Sequence, residues 1–227
     1  MNQPKIRIED YTYELPDERI AKYPLDQRDK SKLLIYNKGI ISQEQFSSIP
    51  SFIPEGSMMV FNNTKVVPAR LFFKKDTGAL IEIFCLEPVT PSDYSVSFAC
   101  ISECSWKTII GNVKKWKGGY LSFFVPEGAD SYVAGLNLKA EINKKQDNSY
   151  IVRFFWEGGH PFSKVLELCG QVPIPPYLNR ETEAVDLERY QTLYAKFRGS
   201  VAAPTAGLHF TEDVLGKIRA KGVDCEE

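Results

Sequence analysis

The sequence predicts a mixed α/β domain interrupted by a small all-β barrel, with residues 1–69 and 157–227 forming the first and residues 70–156 the second. Three observations carry this prediction. Six short runs rich in β-branched and aromatic residues crowd into residues 70–156 and are separated by turn formers, with no helical spacing between them. After Gly158-Gly159 apolar residues recur at three- and four-residue intervals, the period of a helix buried on one face. At 227 residues the chain has room for two modest units, a typical domain being about 150.

The elements follow in order. Pro16 to Lys22 predicts a short helix, with Pro16 tolerated in the first turn, Asp17 and Glu18 at the positive end of the dipole, and Pro24 as a stop. LLIY (33–36) and MMVF (58–61) predict buried strands. The barrel strands are expected at RLFFKK (70–75), ALIEIFCL (79–86), YSVSFAC (94–100), YLSFFV (120–125), LKAEI (138–142) and YIVRFFW (150–156). Asp76-Thr77-Gly78 predicts a hairpin, and Gly118-Gly119, Pro126-Glu127-Gly128 and Gln146-Asp147-Asn148 predict further turns. Ser163 suits the cap of a helix ending at Gly170, and Asp186 that of a helix running to Arg198, with Leu187, Tyr190, Leu193, Tyr194 and Phe197 on its buried face. A third helix starts near Thr211 and stops at Gly222. The valine after that stop reads as the approach to a further strand, so the α/β domain is expected to be incomplete at its C-terminus.

Composition narrows the function classes. Hydrophobic residues at 43% and charged residues at 25% describe an ordinary folded protein. Lys plus Arg (28) against Asp plus Glu (29) leaves −1, so a polyanion would have to be held by a local patch. The N-terminal stretch MNQPKIRIEDYTYELPDERI carries charges where a leader needs an apolar run, and no stretch reaches the roughly 18 apolar residues of a membrane span. A cytoplasmic protein without membrane contact is expected. Five dispersed cysteines, no Cys-x-x-Cys pair and two histidines predict reduced thiols and no metal site. Walker, Gly-x-Gly-x-x-Gly and Gly-x-Ser-x-Gly motifs are missing, so the common nucleotide folds are unsupported.

Five segments have residue types suited to chemistry. VAAPTAGLHF (201–210) is a run of small residues ending at a helix start, which reads either as a tight turn or as a ligand cradle; its His209 is the leading acid–base candidate because an imidazole titrates near neutrality. FNNTKVVPAR (61–70) places amides, a hydroxyl, Lys65 and Arg70 where a strand ends, reading as an Asn-rich turn or as a holder of ribose, phosphate or carboxylate. RDKSKLL (28–34) is a charge cluster in which Arg28 could pair bidentately with an anion. GQVPIPPYLNR (170–180) presents Tyr177 and Arg180 on a rigid path and reads as a proline-rich connector or as an aromatic stacking platform. WKTIIGNVKKWK (106–117) contains Lys107, Lys114, Lys115, Lys117, Trp106 and Trp116 with no acid among them, and reads as a solvated loop or as the chain's best nucleic-acid patch.

YELPDERIAKYP (13–24), RDKSKLL, FNNTKVVPARL, TGALIEIF (77–84), VPIPPYLNR, DLERYQTLYA (186–195) and VAAPTAGLHFT (201–211), in this order, resemble the S-adenosylmethionine:tRNA ribosyltransferase-isomerase family of queuosine biosynthesis. The resemblance spans essentially the whole chain and implies an α/β domain with an inserted barrel. It implies S-adenosylmethionine as ribosyl donor, no metal, and a partner tRNA carrying 7-aminomethyl-7-deazaguanine at the wobble position. The products would be epoxyqueuosine in tRNA, adenine and methionine. That reaction requires removal of the acidic C5′ proton beside the sulfonium, departure of adenine, attack by the deazaguanine amine, and loss of methionine as the epoxide closes.

On this resemblance His209 would be the base or the acid at departing adenine, within a cradle of Pro204, Thr205, Ala206, Gly207 and Phe210. Asn62, Thr64 and Lys65 would hold ribose or the methionine carboxylate, and Arg28, Arg70, Tyr177 and Arg180 would face substrate or RNA. Lys107, Lys114, Lys115, Trp116 and Lys117 would contact RNA, and a monomer is expected. Two departures stand out: Asn63 where the family usually has Asp, and Lys32 where it usually has Arg. Family members also continue into a His-Val-Gly-x-Gly-Thr-Phe stretch that this sequence does not contain. The competing readings are an RNA-binding homologue without a complete active site and a divergent transferase acting on another modified nucleoside.

Overall fold

Residues 6–227 are described by the computed structural model; the first five residues, part of the charged N-terminal stretch and of the 1–69 segment, lie outside the described residues. Where a helix over Pro16–Lys22 is expected, only a 3-10 turn at Asp17–Arg19 forms, with no buried residue. A short helix without an apolar face to pack does not offset its nucleation cost. β1 (Lys32–Asn37) and β2 (Ile40–Gln45) form a hairpin that the sequence reading missed, turning through Lys38 (φ 48°) and Gly39 (φ 90°). Two successive left-handed residues match the twist of a two-residue hairpin turn. The expectation that LLIY is buried is corrected, since Leu34 and Tyr36 are exposed and only Leu33 packs on a core. β3 (Met58–Val60) and β4 (Thr64–Val66) follow.

The barrel consists of β5 (Arg70–Lys74), β6 (Leu80–Thr90), α1 (Tyr94–Ala99), β7 (Glu103–Gly111), β8 (Leu121–Phe123), α2 (Ser131–Gly135), β9 (Lys139–Gln146) and β10 (Ser149–Phe155). Its six strands close in the order β10-β7-β6-β5-β8-β9, every neighbour antiparallel. Alternate residues point inward, so Leu71, Phe73, Ile81, Ile83, Val152 and Phe154 are fully buried. Two assignments are corrected. The segment read as strand 94–100 holds helix α1 (Tyr94–Ala99), because the Asp93 side chain accepts from the Val96 N–H at 2.9 Å and Tyr94 and Phe98, one helical turn apart, both pack on Trp106. The sixth strand is β7, which overlaps the 106–117 segment read as a solvated loop or a nucleic-acid patch, and Trp106 on it is completely buried.

Beyond the barrel come α3 (Phe162–Cys169), α4 (Ala184–Arg189), β11 (Phe197–Ser200), α5 (Glu212–Ala220) and β12 (Asp224–Glu226). Phe162 of α3 closes one barrel end against Trp106, Phe154 and Trp156. Gly170 ends α3 where a Cβ would lie 1.8 Å from the Pro68 carbonyl, so no other residue fits that crossing. The helix expected over 186–198 stops at Arg189. Its continuation is overridden because residues 197–200 pair in parallel with β4, while β12 pairs in parallel with β3. Both parallel pairs join chain preceding the barrel to chain following it. The helix near Thr211 forms as expected, capped by the Thr211 hydroxyl and followed by Gly222 at φ 76°. All five cysteines are free, and burial pushes the Cys85, Cys104 and Cys169 thiols up, the last to about 12.

Candidate functional site

A cleft of about 570 Å³ opens between the Arg28 turn, β4, the end of α4 and the start of α5. Its walls carry the cations Arg28, Lys65 and Arg189, the carboxylates Glu188 and Glu212, and Gln191, Thr192 and Phe210. The end of α4 and the segment before β1 clamp each other. Arg28 donates to the carbonyls of Gln191 (2.8 Å), Leu208 (3.4 Å) and Glu188 (3.4 Å), and Arg189 donates back to the carbonyls of Asp26 (3.0 Å) and Leu25. A cation suits the negative end of a helix whose last carbonyls lack partners. Burial first, and then the neighbouring Arg189, lower the pKa of Arg28.

Gln191 fastens the other wall. Its side-chain oxygen accepts from the Val66 N–H at 2.9 Å and its amide donates to the Val66 carbonyl at 3.2 Å, so one carboxamide satisfies an edge of β4 as a neighbouring strand would. Thr192 beside it is buried, and its hydroxyl has no partner among the described residues. At the third wall the Thr211 hydroxyl donates to Asp29 at 3.2 Å and accepts from the Val214 N–H at 3.3 Å, holding the first turn of α5 against the Arg28 turn.

The sequence-predicted residues divide sharply on this frame. Arg28, Lys65 and Phe210 line the cleft, and Lys65 is exposed with no ion pair among the described residues. Phe210 is also a core residue, stacked edge-on against Phe46 (4.9 Å) and Phe61 (5.3 Å). Asn62 and Thr64 bond to each other: the Asn62 oxygen accepts from the Thr64 N–H (3.0 Å) and hydroxyl (2.6 Å), a turn that aims the chain into β4. Asn63 lies at the β4–β11 junction, where its carbonyl accepts from the Lys196 N–H at 2.7 Å.

Several expectations are corrected. Arg180 is taken up by partners within the protein. It pairs bidentately with buried Asp186 at 2.7 Å on both oxygens, donates to the Lys22 carbonyl at 2.7 Å, and stacks on Tyr23. The same Asp186 carboxylate accepts from the Glu183 N–H in a capping box, so it is the third residue of α4 and not its cap. Hydrogen bonds from Arg180 hold the Asp186 carboxyl below the ordinary aspartate range. Arg70 is likewise occupied, by Glu82 at 2.6 Å. Pro204 precedes a 3-10 turn, Thr205–His209, that lines no wall of the cleft. Within it Thr205 and Ala206 are exposed, and Gly207 is required because a Cβ there would sit 2.2 Å from the Tyr194 hydroxyl oxygen. The His209 ring packs on Phe46 at 5.3 Å and makes no hydrogen bond among the described residues. Tyr177 is exposed and outside the cleft.

In the supposed RNA patch, Trp116 is buried with its indole N–H on the Gly119 carbonyl at 3.0 Å, and Lys107 pairs with Glu87 of the adjacent strand at 2.6 Å. Trp116 is thus turned inward and Lys107 is engaged in an ion pair, whereas Lys114, Lys115 and Lys117 are exposed. Conversely, Glu188, Thr192 and Glu212 are on the cleft without having been singled out. The ERYQT run (188–192) was the available signal, obscured by a helical reading that ranked its apolar neighbours first.

The queuosine biosynthesis protein family profile matches residues 8–227. An S-adenosylmethionine:tRNA ribosyltransferase-isomerase of Trichlorobacter lovleyi is 38% identical over 218 residues, covering 95% of this chain and 57% of the relative. One of the same name from Aquifex aeolicus is 36% identical over 222 residues, covering 96% and 59%. A crystal structure of an S-adenosylmethionine tRNA ribosyltransferase from Thermotoga maritima matches with 26% identity over 95% of this chain and 55% of that one, at a TM-score of 0.32. The chain thus spans less than two thirds of the length of these relatives. With the profile covering residues 8–227 and relatives 36–38% identical over nearly all of the chain, the chain belongs to the queuosine biosynthesis protein family.

Proposed function

We propose that this protein acts as an S-adenosylmethionine-dependent tRNA ribosyltransferase-isomerase, placing the rearranged ribosyl group on 7-aminomethyl-7-deazaguanine at the wobble position and releasing adenine and methionine. The observation that carries this reading is the coincidence of motif and cavity: Glu188, Arg189, Gln191 and Thr192 of the ERYQT run form one wall of the cleft. Its volume of about 570 Å³ suits a nucleoside-sized ligand, such sites ranging over about 300–1,000 Å³. Lys65, Arg28 and Arg189 supply positive charge for a carboxylate or phosphate. The unpartnered Thr192 hydroxyl supports the same reading, since leaving such a group buried and unpaired costs about 1–3 kcal/mol. We further read residues 1–69 and 157–227 as one discontinuous catalytic unit with the barrel, 70–156, inserted, working as a cytoplasmic monomer. The two parallel strand pairs across the insertion support that division.

Within this reading Glu188 and Glu212 are the side chains placed to take or give a proton at the cleft, and His209 acts only through the packing of the wall behind it. The protein is incubated with S-adenosylmethionine and precursor-bearing tRNA, and adenine, methionine and the epoxy nucleoside are sought together by mass spectrometry. All three products establish the reaction. Glu212→Gln is expected to slow it by about 10²-fold or more, the usual contribution of a positioned acid or base, and His209→Ala by less than about tenfold. RNA bound without any product would favour the non-catalytic RNA-binding reading.

A further inference from the structure

The barrel is charge-segregated along its axis, although the chain as a whole is nearly neutral. Because all six strands alternate in direction, the ends of β5, β7 and β9 emerge at one pole and the ends of β6, β8 and β10 at the other. The first pole collects Lys74 and Lys75 at the β5–β6 hairpin, Lys114, Lys115 and Lys117 on the β7–β8 connection, and Lys144 and Lys145 at the β9–β10 hairpin. Asp76 and Asp147 are the acids in these three connections. The lysine ammonium groups there form no salt bridge among the described residues, and all are exposed except Lys75, which is half-buried with its amine 3.4 Å from the Lys115 carbonyl. At the opposite pole, the connections 91–102, 124–138 and 156–161 hold Asp93, Glu127, Asp130 and Glu157, and no lysine or arginine.

The chain enters the barrel at Arg70 and leaves it at Phe155, both at the acidic pole, where α3 closes the end and Arg70 bridges to Gln171. The basic pole therefore projects away from the cleft. The seven residues of β10 alone extend about 23 Å at ~3.3 Å per residue. Three lysine-bearing loops from non-adjacent parts of the sequence make a surface that fits a polyanion, and an acidic opposite end orients it.

We propose that the basic pole of the barrel is an RNA-backbone docking surface, which holds the tRNA phosphates at a distance from the cleft and works without reading sequence. This rests on the proposed tRNA substrate and adds where the RNA is held. RNA is favoured over an acidic protein because six exposed lysines and the half-buried Lys75, without an apolar centre, match a phosphate backbone, whereas stable protein interfaces bury an apolar core.

The test uses the full chain and an unmodified tRNA transcript, with affinity followed by fluorescence anisotropy between 50 and 200 mM KCl (about the range over which phosphate contacts are lost). The variants are Lys114→Glu/Lys115→Glu/Lys117→Glu, the milder Lys144→Gln/Lys145→Gln, and Lys38→Gln on the β1–β2 turn as a control. The triple variant is expected to bind about tenfold or more weakly, and each lost lysine to reduce the salt slope by about 0.7–0.9. Lys38→Gln should bind like the parent. Unchanged melting of the Gln pair, with its slope reduced, separates lost contacts from misfolding. Parent affinity and slope in both pole variants would overturn this proposal while leaving the RNA substrate standing. Failure of the parent to bind the transcript would overturn the RNA substrate and the docking surface together. Equally tight binding of polyglutamate would make the pole an acidic-protein surface and overturn it as well.

Discussion

The barrel and the cleft-bearing remainder are built on opposite principles. The barrel pairs neighbouring strands around a closed ring, its backbone edges are satisfied internally, and its core runs without interruption from Leu71 to Phe162. The remainder holds three separate two-stranded pieces, several 3-10 turns and two smaller apolar clusters. What joins them is a short set of polar clamps between residues more than 100 positions apart: Arg28 on Gln191, Gln191 on Val66, Arg189 on Asp26. A region closed by local antiparallel contacts tolerates the loss of one polar group. A region closed by a few long-range clamps does not, and that is the region with the cleft.

A reciprocal pair of variants tests this contrast most severely. Phe154→Ala in the barrel and Arg180→Ala beneath the cleft should each cost about 3–5 kcal/mol, the first by leaving a cavity and the second by leaving Asp186 charged and unpaired. Hydrogen exchange is expected to show Arg180→Ala deprotecting 180–192 and the cleft while β6, β7 and β10 stay protected. Equal loss of protection in both regions would mean one cooperative unit. The contrast has a pH signature. Because Asp186 titrates lower in the folded protein than in the unfolded chain, its contribution is complete above the ordinary aspartate range near pH 4 and disappears as pH falls through the folded value. Arg180→Ala should flatten that part of the stability profile, measured by denaturant unfolding from neutral to acid pH.

A smaller effect is expected at the Thr205–His209 turn. Gly207→Ala forces a Cβ against the Tyr194 hydroxyl and should cost about 1–3 kcal/mol, as overpacking does. Adding Tyr194→Phe removes the contacted oxygen and should restore most of the loss. Failure of that rescue would place the limit at the Thr192 methyl, 3.0 Å from the same Cβ. Smallest of all, Thr211→Ala should cost about 1 kcal/mol through the lost cap of α5, visible as a modest drop in melting temperature with the barrel unaffected.

Legibility followed the same division. Strands β5, β6, β9 and β10 and the hairpins at Asp76-Thr77-Gly78 and Gln146-Asp147-Asn148 could be read from alternation and turn chemistry, which act within a few residues. Helix α5 was legible for the same reason, its cap and glycine stop being local. YSVSFA misled because a window of six residues satisfies both a two-residue alternation and a one-turn pairing of Tyr94 with Phe98, and only Trp106, arriving from β7, chose between them. The 186–198 segment misled because its helical period is real but is outcompeted by pairing with β4.

Family membership, the barrel and the cationic character of Lys65 and Arg28 were therefore present in the order of residues alone. Which cations remain free was not. Arg180 and Arg70 find carboxylates, Lys107 finds Glu87, and Trp116 turns inward, while lysines scattered from 74 to 145 come together at one pole. Charge and residue type are properties of sequence, but a partner within hydrogen-bonding distance is a property of the tertiary fold. Electrostatic function depends on what is left unpaired after folding, and for this chain only the closing of the barrel and of the cleft settled that.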